Sequence, residues 1–465
     1  MSAAFPMPAA ASASKPPFRL TRDQQTAVDA FFDFLFTPAR CFGISGTAGT
    51  GKTFLMGHLA DKVMDQYQKS CAFIGAKPDY DGVVFTATTN KAAEVLSQVL
   101  GKDVRTIHSF LNLKVEENHL TGKTRLSRTR QWKIRNNLVV FIDECSMIDQ
   151  ALYGEIVAAL PECKLVFVGD HAQMAPVGEH RSCLYDHLEP TDFVTLVEPV
   201  RNAGQPALVA LCAQLRETVE TGVFRPIEPV DGAIYYLDAA EMNEGLHYFF
   251  RELDPSCRVL CFTNSRVQDY NLYIRETVRG RPPEPVPGDV MVMAQPYANG
   301  ASTISVESEL EILKIGDSYQ FNVSLDKNGV YPILCRDVVV RRSGDRSEIT
   351  LRLPEDPRQV TTLTKHLAQK KNWSAYFDVK GSFADLRHKS ACTVYKAQGS
   401  TYDQVFVDLS NIGTSYDAAQ VARMLFVAVS RARSTVYFYG RLPGRYHDSQ
   451  GEALWAAPAP PAPPA

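Results

Sequence analysis

Gly46-Thr47-Ala48-Gly49-Thr50-Gly51-Lys52-Thr53 is the stretch of this sequence with the plainest chemistry. Glycines at that spacing let backbone N–H groups close around a triphosphate. Lys52 brings positive charge to its β- and γ-phosphates, and the Thr53 hydroxyl is a ligand for Mg²⁺. A second chemical group ends the apolar run Leu138–Ile142, where Asp143 and Glu144 stand side by side. Two buried carboxylates at a strand end cost several kcal/mol unless a cation compensates them. A nucleotide-bound Mg²⁺ is such a cation, with Asp143 in its shell and Glu144 placed to polarise the attacking water. A third apolar run, Lys164–Gly169, leads into Asp170 and Gln173, which are placed to sense a γ-phosphate through the water or the metal.

Other residues carry weaker signals. Gln24 opens a helix and has the donor and acceptor of an adenine reader, with a solvent-facing polar residue as the alternative. Thr88 and Asn90 lie at a strand-to-helix turn suited to a phosphate of another molecule. Thr106, His108 and Ser109 precede a further element, and a single histidine there has a structural role as its alternative. Arg201 closes a first run of strands and helices. Arg431 falls at a helix C-terminus, where a cation also complements the dipole. Six basic residues and no acid lie between Thr121 and Asn137, although the net charge of the 465-residue chain is −3. Charge is felt over only about 8–10 Å at physiological salt, so the cluster outweighs the sum, with a solvated basic loop as the alternative.

The elements that must position these groups follow from the apolar pattern. Cys41–Ile44, Gly82–Ala87, Leu138–Ile142 and Lys164–Gly169 read as buried strands, the first two each followed by a turn or loop and a helix. Leu20–Phe36 reads as an amphipathic helix capped by Thr21. From Arg258 the strand, turn and helix pattern restarts, then breaks into short alternating runs between 281 and 384 separated by PGD, DKNG and SGD turns. Those runs predict a small all-β module. The second α/β unit resumes with residues 390–409, a helix through Ala422–Ala432 and the strand Thr435–Gly440. The boundaries are a disordered tail 1–17, a first lobe 18–200 with an insertion at about 110–137, a second lobe 201–280 and 385–445, the inserted module 281–384, and a Pro-rich tail 446–465.

Composition is that of a globular protein, 45% hydrophobic and 22% charged, without a membrane-length apolar run. The 10 cysteines show no C-x-x-C pair, so neither disulfides nor zinc are expected. The expected compartment is the cytoplasm, that of the host for a viral protein, with the nucleus left open.

Taken in order, LTRDQ, GTAGTGKT, TATTNKAAEVL, TIHS, DECS, GDHAQMAPVG, VRN, FTNS, YKAQGST and VAVSRAR resemble the superfamily 1 helicases, specifically their Dda and RecD branch, from Leu20 to Gly440. That resemblance implies two RecA-like P-loop NTPase lobes of α/β class, a β-hairpin insertion in the first and a small Src-homology-3-like β-barrel in the second. It implies ATP and Mg²⁺ between the lobes. Gln24 then contacts adenine, Lys52 and Thr53 hold phosphates and metal, Asp143 binds the metal and Glu144 is the general base. Gln173 reports the γ-phosphate, Arg201 and Arg431 are arginine fingers, and Gln398 and Gly399 link the nucleotide to the strand. Thr88, Asn90, Lys91, Thr106, His108, Thr263, Asn264, Lys396 and Thr401 match blocks that contact DNA. Leu113–Leu126 is expected to be the strand-separating hairpin, with its tip around His119. Tyr395 stands where many relatives carry His.

The implied activity is ATP-dependent translocation 5′ to 3′ on single-stranded DNA and unwinding of forked duplex DNA in replication, recombination or repair. The expected form is a monomer without membrane contact, partnered by a single-strand-binding protein or replisome component. The rivals are a viral-type RNA helicase, an ATP-switched module that remodels proteins without unwinding, and a P-loop nucleotide kinase.

Overall fold

The computed structural model describes residues 20–47, 49–117, 124–176, 179, 182–188, 193–198, 205–252, 256–299, 302–304, 306–324, 329–342 and 347–446. By contacts the chain divides into two compact units. One takes in the described residues of Met1–Asn112, Gln131–Val267 and Cys392–Ala465; the other comprises those of Leu113–Arg130 and Gln268–Ala391.

Two sheets organise the first unit. The first runs in the order Val104–Thr106, Gly82–Ala87, Asn136–Asp143, Glu162–Gly169, Cys41–Gly46, Phe193–Leu196, and its neighbours pair in parallel. Val139–Ile142 are fully buried, as near-continuous apolar strands covered on both faces must be. The helix Arg22–Phe34 packs on this sheet through Ala27, Phe31 and Phe34. Thr21 accepts from Gln24 N–H while the Gln24 side chain accepts from Thr21 N–H, a reciprocal cap that satisfies two otherwise unpaired donors. Phe141 stacks on Phe85 at 5.2 Å and meets Phe31 at 5.9 Å.

The second sheet has the order Ala391–Thr393, Cys257–Cys261, Tyr402–Asp408, Ala432–Tyr439, Ile234–Leu237. The last four strands pair in parallel. Its central helix, Ala418–Ser430, is apolar nearly all round and buries Val421, Ala422 and every residue from Met424 to Val429. An apolar surface of that breadth needs cover on several sides. The helix Pro206–Thr221 and the sheet supply it.

The second unit carries an antiparallel sheet ordered Glu348–Pro354, Val330–Arg342, Glu309–Ser324, Val290–Met293, Leu386–Arg387. The expected all-β character of 281–384 needs correction. Pro357–Gln369 and Trp373–Ser382 are helices, and they close an apolar cluster with Ile333 and Cys335 of the sheet. Asp356 caps the first of them and Pro357 occupies its first turn, where a missing N–H costs nothing. Leu113–Glu117 and Thr124–Arg128 pair antiparallel, Leu113 opposite Arg128; the expected tip residue His119 lies outside the described residues. Among the described residues no helix is long and apolar enough to cross a membrane.

Because Phe141 is fully buried among aromatic rings, Phe141→Ala leaves a cavity the sheet cannot collapse around. The substitution is expected to cost about 3–5 kcal/mol. A thermal melt checks this: the transition that includes the first sheet moves down, and an unchanged melt contradicts the packing described.

Candidate nucleotide and nucleic-acid sites

The strand Cys41–Gly46 delivers the phosphate loop at its C-terminal end, the edge at which parallel α/β sheets bind ligands. Gly46 passes so close to its neighbours that a Cβ there would lie 2.8 Å from Thr50 Oγ1 and 3.0 Å from Leu196. Gly49 and Gly51 have φ of 91° and 79°, left-handed values that only glycine adopts without strain. Gly51 caps the helix Lys52–His58 without a side chain, leaving the helix N-terminus to bind an anion. Lys52 Nζ donates to the Gly46 and Thr47 carbonyls at 2.7 and 3.0 Å. Gln24 is fully buried and its Nε2 donates to the Thr50 carbonyl at 2.9 Å, tying the first helix to the loop. Thr53 follows half-buried in the helix. Ala48 lies outside the described residues.

Two strands away in the sheet, Asn136–Asp143 ends in the carboxylate pair. Glu144 has φ 54°, an uncommon conformation for a side chain of this size. Its N–H donates to Asp143 Oδ1 at 2.9 Å, and its carbonyl accepts from Thr88 Oγ1 at 3.0 Å. Thr88 N–H also donates to the Asp143 carbonyl. From the second sheet, Gln398 Nε2 donates to Glu144 Oε2 at 3.2 Å. Beside it Gly399, with φ 79°, approaches Ala92. Burial, and then the charge of Glu144, push the Asp143 carboxyl up to about 7, while Lys52 pulls it down.

The loop after Glu162–Gly169 adds Asp170 and Gln173, both buried. Burial raises the Asp170 carboxyl, but the charges of Arg216, His171 and Lys52 outweigh it and its pKa is lowered. Asp170 Oδ2 and Gln173 Oε1 are buried without a hydrogen-bond partner. Two arginines absent from the sequence expectations reach this loop. Arg216 Nη1 pairs with Asp170 Oδ1 at 2.8 Å, and Arg423 Nη1 donates to the His171 and Gln173 carbonyls. Arg431 is 4% exposed and donates to Ser430 Oγ and to the Ser400 carbonyl. Burial lowers its pKa and the nearby charge of Glu144 opposes that shift. Arg201 lies outside the described residues.

This donor set fits a nucleotide-bound cation. Asp143 is a half-buried carboxylate whose pKa is pushed up by desolvation and by the charge of Glu144, which a cation beside it would offset. Mg²⁺ ordinarily takes only one or two carboxylates, completing its shell with phosphates and water, so an all-protein cage is not required here.

Most of the residues matched to nucleic-acid contacts sit at or beside threonine-capped helix starts that follow strands of the two sheets, Thr401 being the exception. Thr89 Oγ1 accepts from Ala92 N–H, so Asn90 and Lys91 form the first turn of Asn90–Leu100, where Lys91 pairs with Glu94 at 3.2 Å. Thr106 caps Ile107–Phe110, which carries His108; burial lowers that imidazole's pKa, with Asp149 opposing. In the second sheet Thr263 is bound by Asn411 and caps the turn before Asn264. Thr393 caps Val394–Ala397, which carries Lys396, and Thr401 precedes the strand Tyr402–Asp408. The Tyr395 hydroxyl accepts from Gln420 at 2.6 Å.

An acid whose pKa rises on folding, from 3.8 to about 7 for Asp143, loses stability as pH climbs through that window. Asp143→Asn keeps the acceptor for Glu144 N–H and removes the charge. In metal- and nucleotide-free buffer the variant should melt higher than the unaltered chain at pH 8, the gap closing toward pH 4. A lower melting temperature at pH 8 contradicts the burial penalty.

Comparison with known proteins agrees with this geometry. A family profile described as an AAA domain matches residues 19–225. Another, described as a UvrD-like helicase C-terminal domain, matches residues 388–439. The ATP-dependent DNA helicase dda of Enterobacteria phage T4 is 24% identical over 456 residues, 90% of this chain and 99% of that one. The ATP-dependent DNA helicase PIF1 of Emericella nidulans is 30% identical over 149 residues, 29% of this chain and 18% of its own length. The solved structure of Bacteroides Pif1 helicase with ADP-AlF3 and ssDNA aligns over 90% of this chain and 92% of that one, at 14% identity and TM-score 0.44. Two family profiles in the expected order and a relative matched along nearly its whole length agree with the ordered motifs and support the resemblance to a superfamily 1, Dda-like helicase.

Proposed function

We infer that this protein is an ATP-dependent DNA helicase. The observation that carries the reading is the hydrogen bond from Gln398 to Glu144, which joins a carboxylate at the end of the first sheet to a loop of the second. A nucleotide kinase has no use for that second sheet.

In this reading the phosphate loop and Lys52 hold the triphosphate, and Thr53 and Asp143 hold Mg²⁺. The cation, when bound, neutralises charge on the β- and γ-phosphates. Glu144 accepts the proton of the attacking water, held in place by Thr88 at its carbonyl and by Gln398 at its carboxylate. Thr88, expected to grip a strand, therefore acts as a positioning residue for Glu144. Gln24 retains one N–H and one lone pair beyond its bonds to Thr50 and Thr21, enough to meet an adenine edge at one point. Gln173 contacts the γ-phosphate. Arg431, together with Arg201, stabilises the charge that builds up on the transferred phosphoryl group.

The threonine-capped helices of both sheets present N-termini and Asn90, Lys91, Thr106, His108, Asn264, Lys396 and Thr401 to phosphates of single-stranded DNA. Contacts of that kind hold without reading sequence. Nucleotide-dependent rearrangement of the two sheets steps the strand 5′ to 3′. The hairpin Leu113–Arg128, with Arg125 and Arg128 on its second strand, separates the duplex, and the antiparallel sheet takes the place of the family's Src-homology-3-like module. Opening a base-pair step costs about 1.4 kcal/mol of stacking, well within one ATP turnover. The acting form is a monomer, with a single-strand-binding protein or replisome component as its protein partner.

Duplexes with only a 5′ or only a 3′ single-stranded overhang, compared at one stated salt concentration, test the reading. ATP-dependent release of the labelled strand is expected from the 5′ substrate alone, and Lys52→Ala abolishes it. ATPase stimulated by poly(U) but not poly(dT) would favour an RNA substrate. Replacing residues 118–123 with a two-glycine turn should remove unwinding and spare DNA-stimulated ATPase; loss of both activities contradicts a separating hairpin.

A further inference from the structure

The loop His171–Met174 follows a strand of the first sheet, yet its side chains and carbonyls are held by the second. Ala172 and Met174 are buried in the apolar cluster built by Leu211, Leu215, Leu425 and Val429 of the two helices that cover the second sheet. From the helix Ala418–Ser430, Arg423 Nη1 bridges the His171 carbonyl at 2.5 Å and the Gln173 carbonyl at 2.7 Å. From the helix Pro206–Thr221, Arg216 pairs with Asp170 at 2.8 Å and with Glu220 at 2.9 Å, and Glu220 meets His171 at 3.2 Å. The bonds that Arg423 and Arg216 make to the loop are to two backbone carbonyls and one buried carboxylate, so the path of the chain is specified more than any one exposed side chain.

We propose that Arg423 and Arg216 form a clamp that makes the Asp170–Met174 loop part of the second sheet's body, so that the placement of the Gln173 amide is set by that sheet. The proposal rests on the nucleotide site assigned above. Arg423 lies on the helix Ala418–Ser430 and Arg431 caps its C-terminus, eight positions on and about 12 Å further along its axis. One rigid element therefore sets two features of the hydrolytic centre, the arginine at its end and the loop that carries Gln173. Any shift of the second sheet against Asn136–Asp143 carries the loop with it or breaks three charge-assisted bonds. Bonds of that type are about twice as strong as neutral ones, so the loop moves.

Arg423 is thus a positioning residue, which a split between KM and kcat reveals. DNA-stimulated ATPase of the full chain is measured for Arg423→Met and Arg423→Lys alongside melting temperatures. Arg423→Met is expected to lower kcat about tenfold or more while KM for ATP stays within about threefold, because the loop no longer places Gln173 in the transition state. Arg423→Lys, whose single nitrogen can bridge the same two carbonyls, is expected to recover most of the rate. The proposal is overturned if Arg423→Met keeps the kcat of the unaltered chain. It is equally overturned if Met and Lys lose the rate alike with matching falls in melting temperature, the mark of general destabilisation. An unaltered chain without ATPase would instead remove the helicase reading itself.

Discussion

Two neighbouring carboxylates that follow the fully buried run Val139–Ile142 set the terms for the rest of this protein. Burial and the neighbouring charge of Glu144 push the Asp143 carboxyl up, so the pair calls for compensating charge. The relief comes from several directions. Lys52 lies on the phosphate loop two strands away, Thr88 ties down the backbone of the pair from the neighbouring strand, and Gln398 reaches Glu144 from another sheet. Parallel strands ordered in this way bring their C-terminal ends to one edge, where the proposed Mg²⁺ would complete the charge balance. The sheet is therefore arranged as much by electrostatics as by packing.

The two sheets repeat one device. A strand at or beside the edge ends, a threonine hydroxyl caps the next helix, and the first turn beyond the cap carries a polar or basic residue: Thr89, Thr106, Thr263 and Thr393 each do this. A side-chain cap satisfies one or two backbone donors and leaves the remaining N–H groups of the first turn for a ligand. Under the proposed function, repetition of the device in both sheets would give each its own grip on a phosphodiester chain. Alternating grips of that kind require the sheets to communicate, and the bond from Gln398 to Glu144 is a link between them.

Much of this is written in local sequence. The phosphate loop and its flanking strand and helix follow from glycine spacing and an apolar run, and the Thr21 cap follows from a threonine with glutamine three residues on. The inserted segment is less transparent. Alternating runs dominate 281–354 and obscure the Asp356-Pro357 helix start, although a capping acid and a first-turn proline are a readable signal. Tertiary bonds were illegible for a different reason. Arg216 and Arg423 are single cations on their helices, and no neighbouring residue marks the loop that each one reaches. Thr88 and Glu144 are 56 residues apart, and Gln398 and Glu144 are 254 apart, so nothing local announces that they meet. Gln24 shows the same limit: its position in the first helical turn is evident, its complete burial against Thr50 is not.

The central claim is that the hydrolytic centre is completed by groups from both sheets, and single-turnover hydrolysis tests it most directly. Arg431→Ala leaves the phosphate loop and the carboxylate pair intact while removing the cation that the second sheet contributes. With ATP affinity measured on the same preparation, the account predicts that the chemical step slows by about 10³-fold or more while binding changes only a few-fold. A chemical step unchanged by Arg431→Ala would mean that the first sheet hydrolyses ATP unaided, and the account would be wrong.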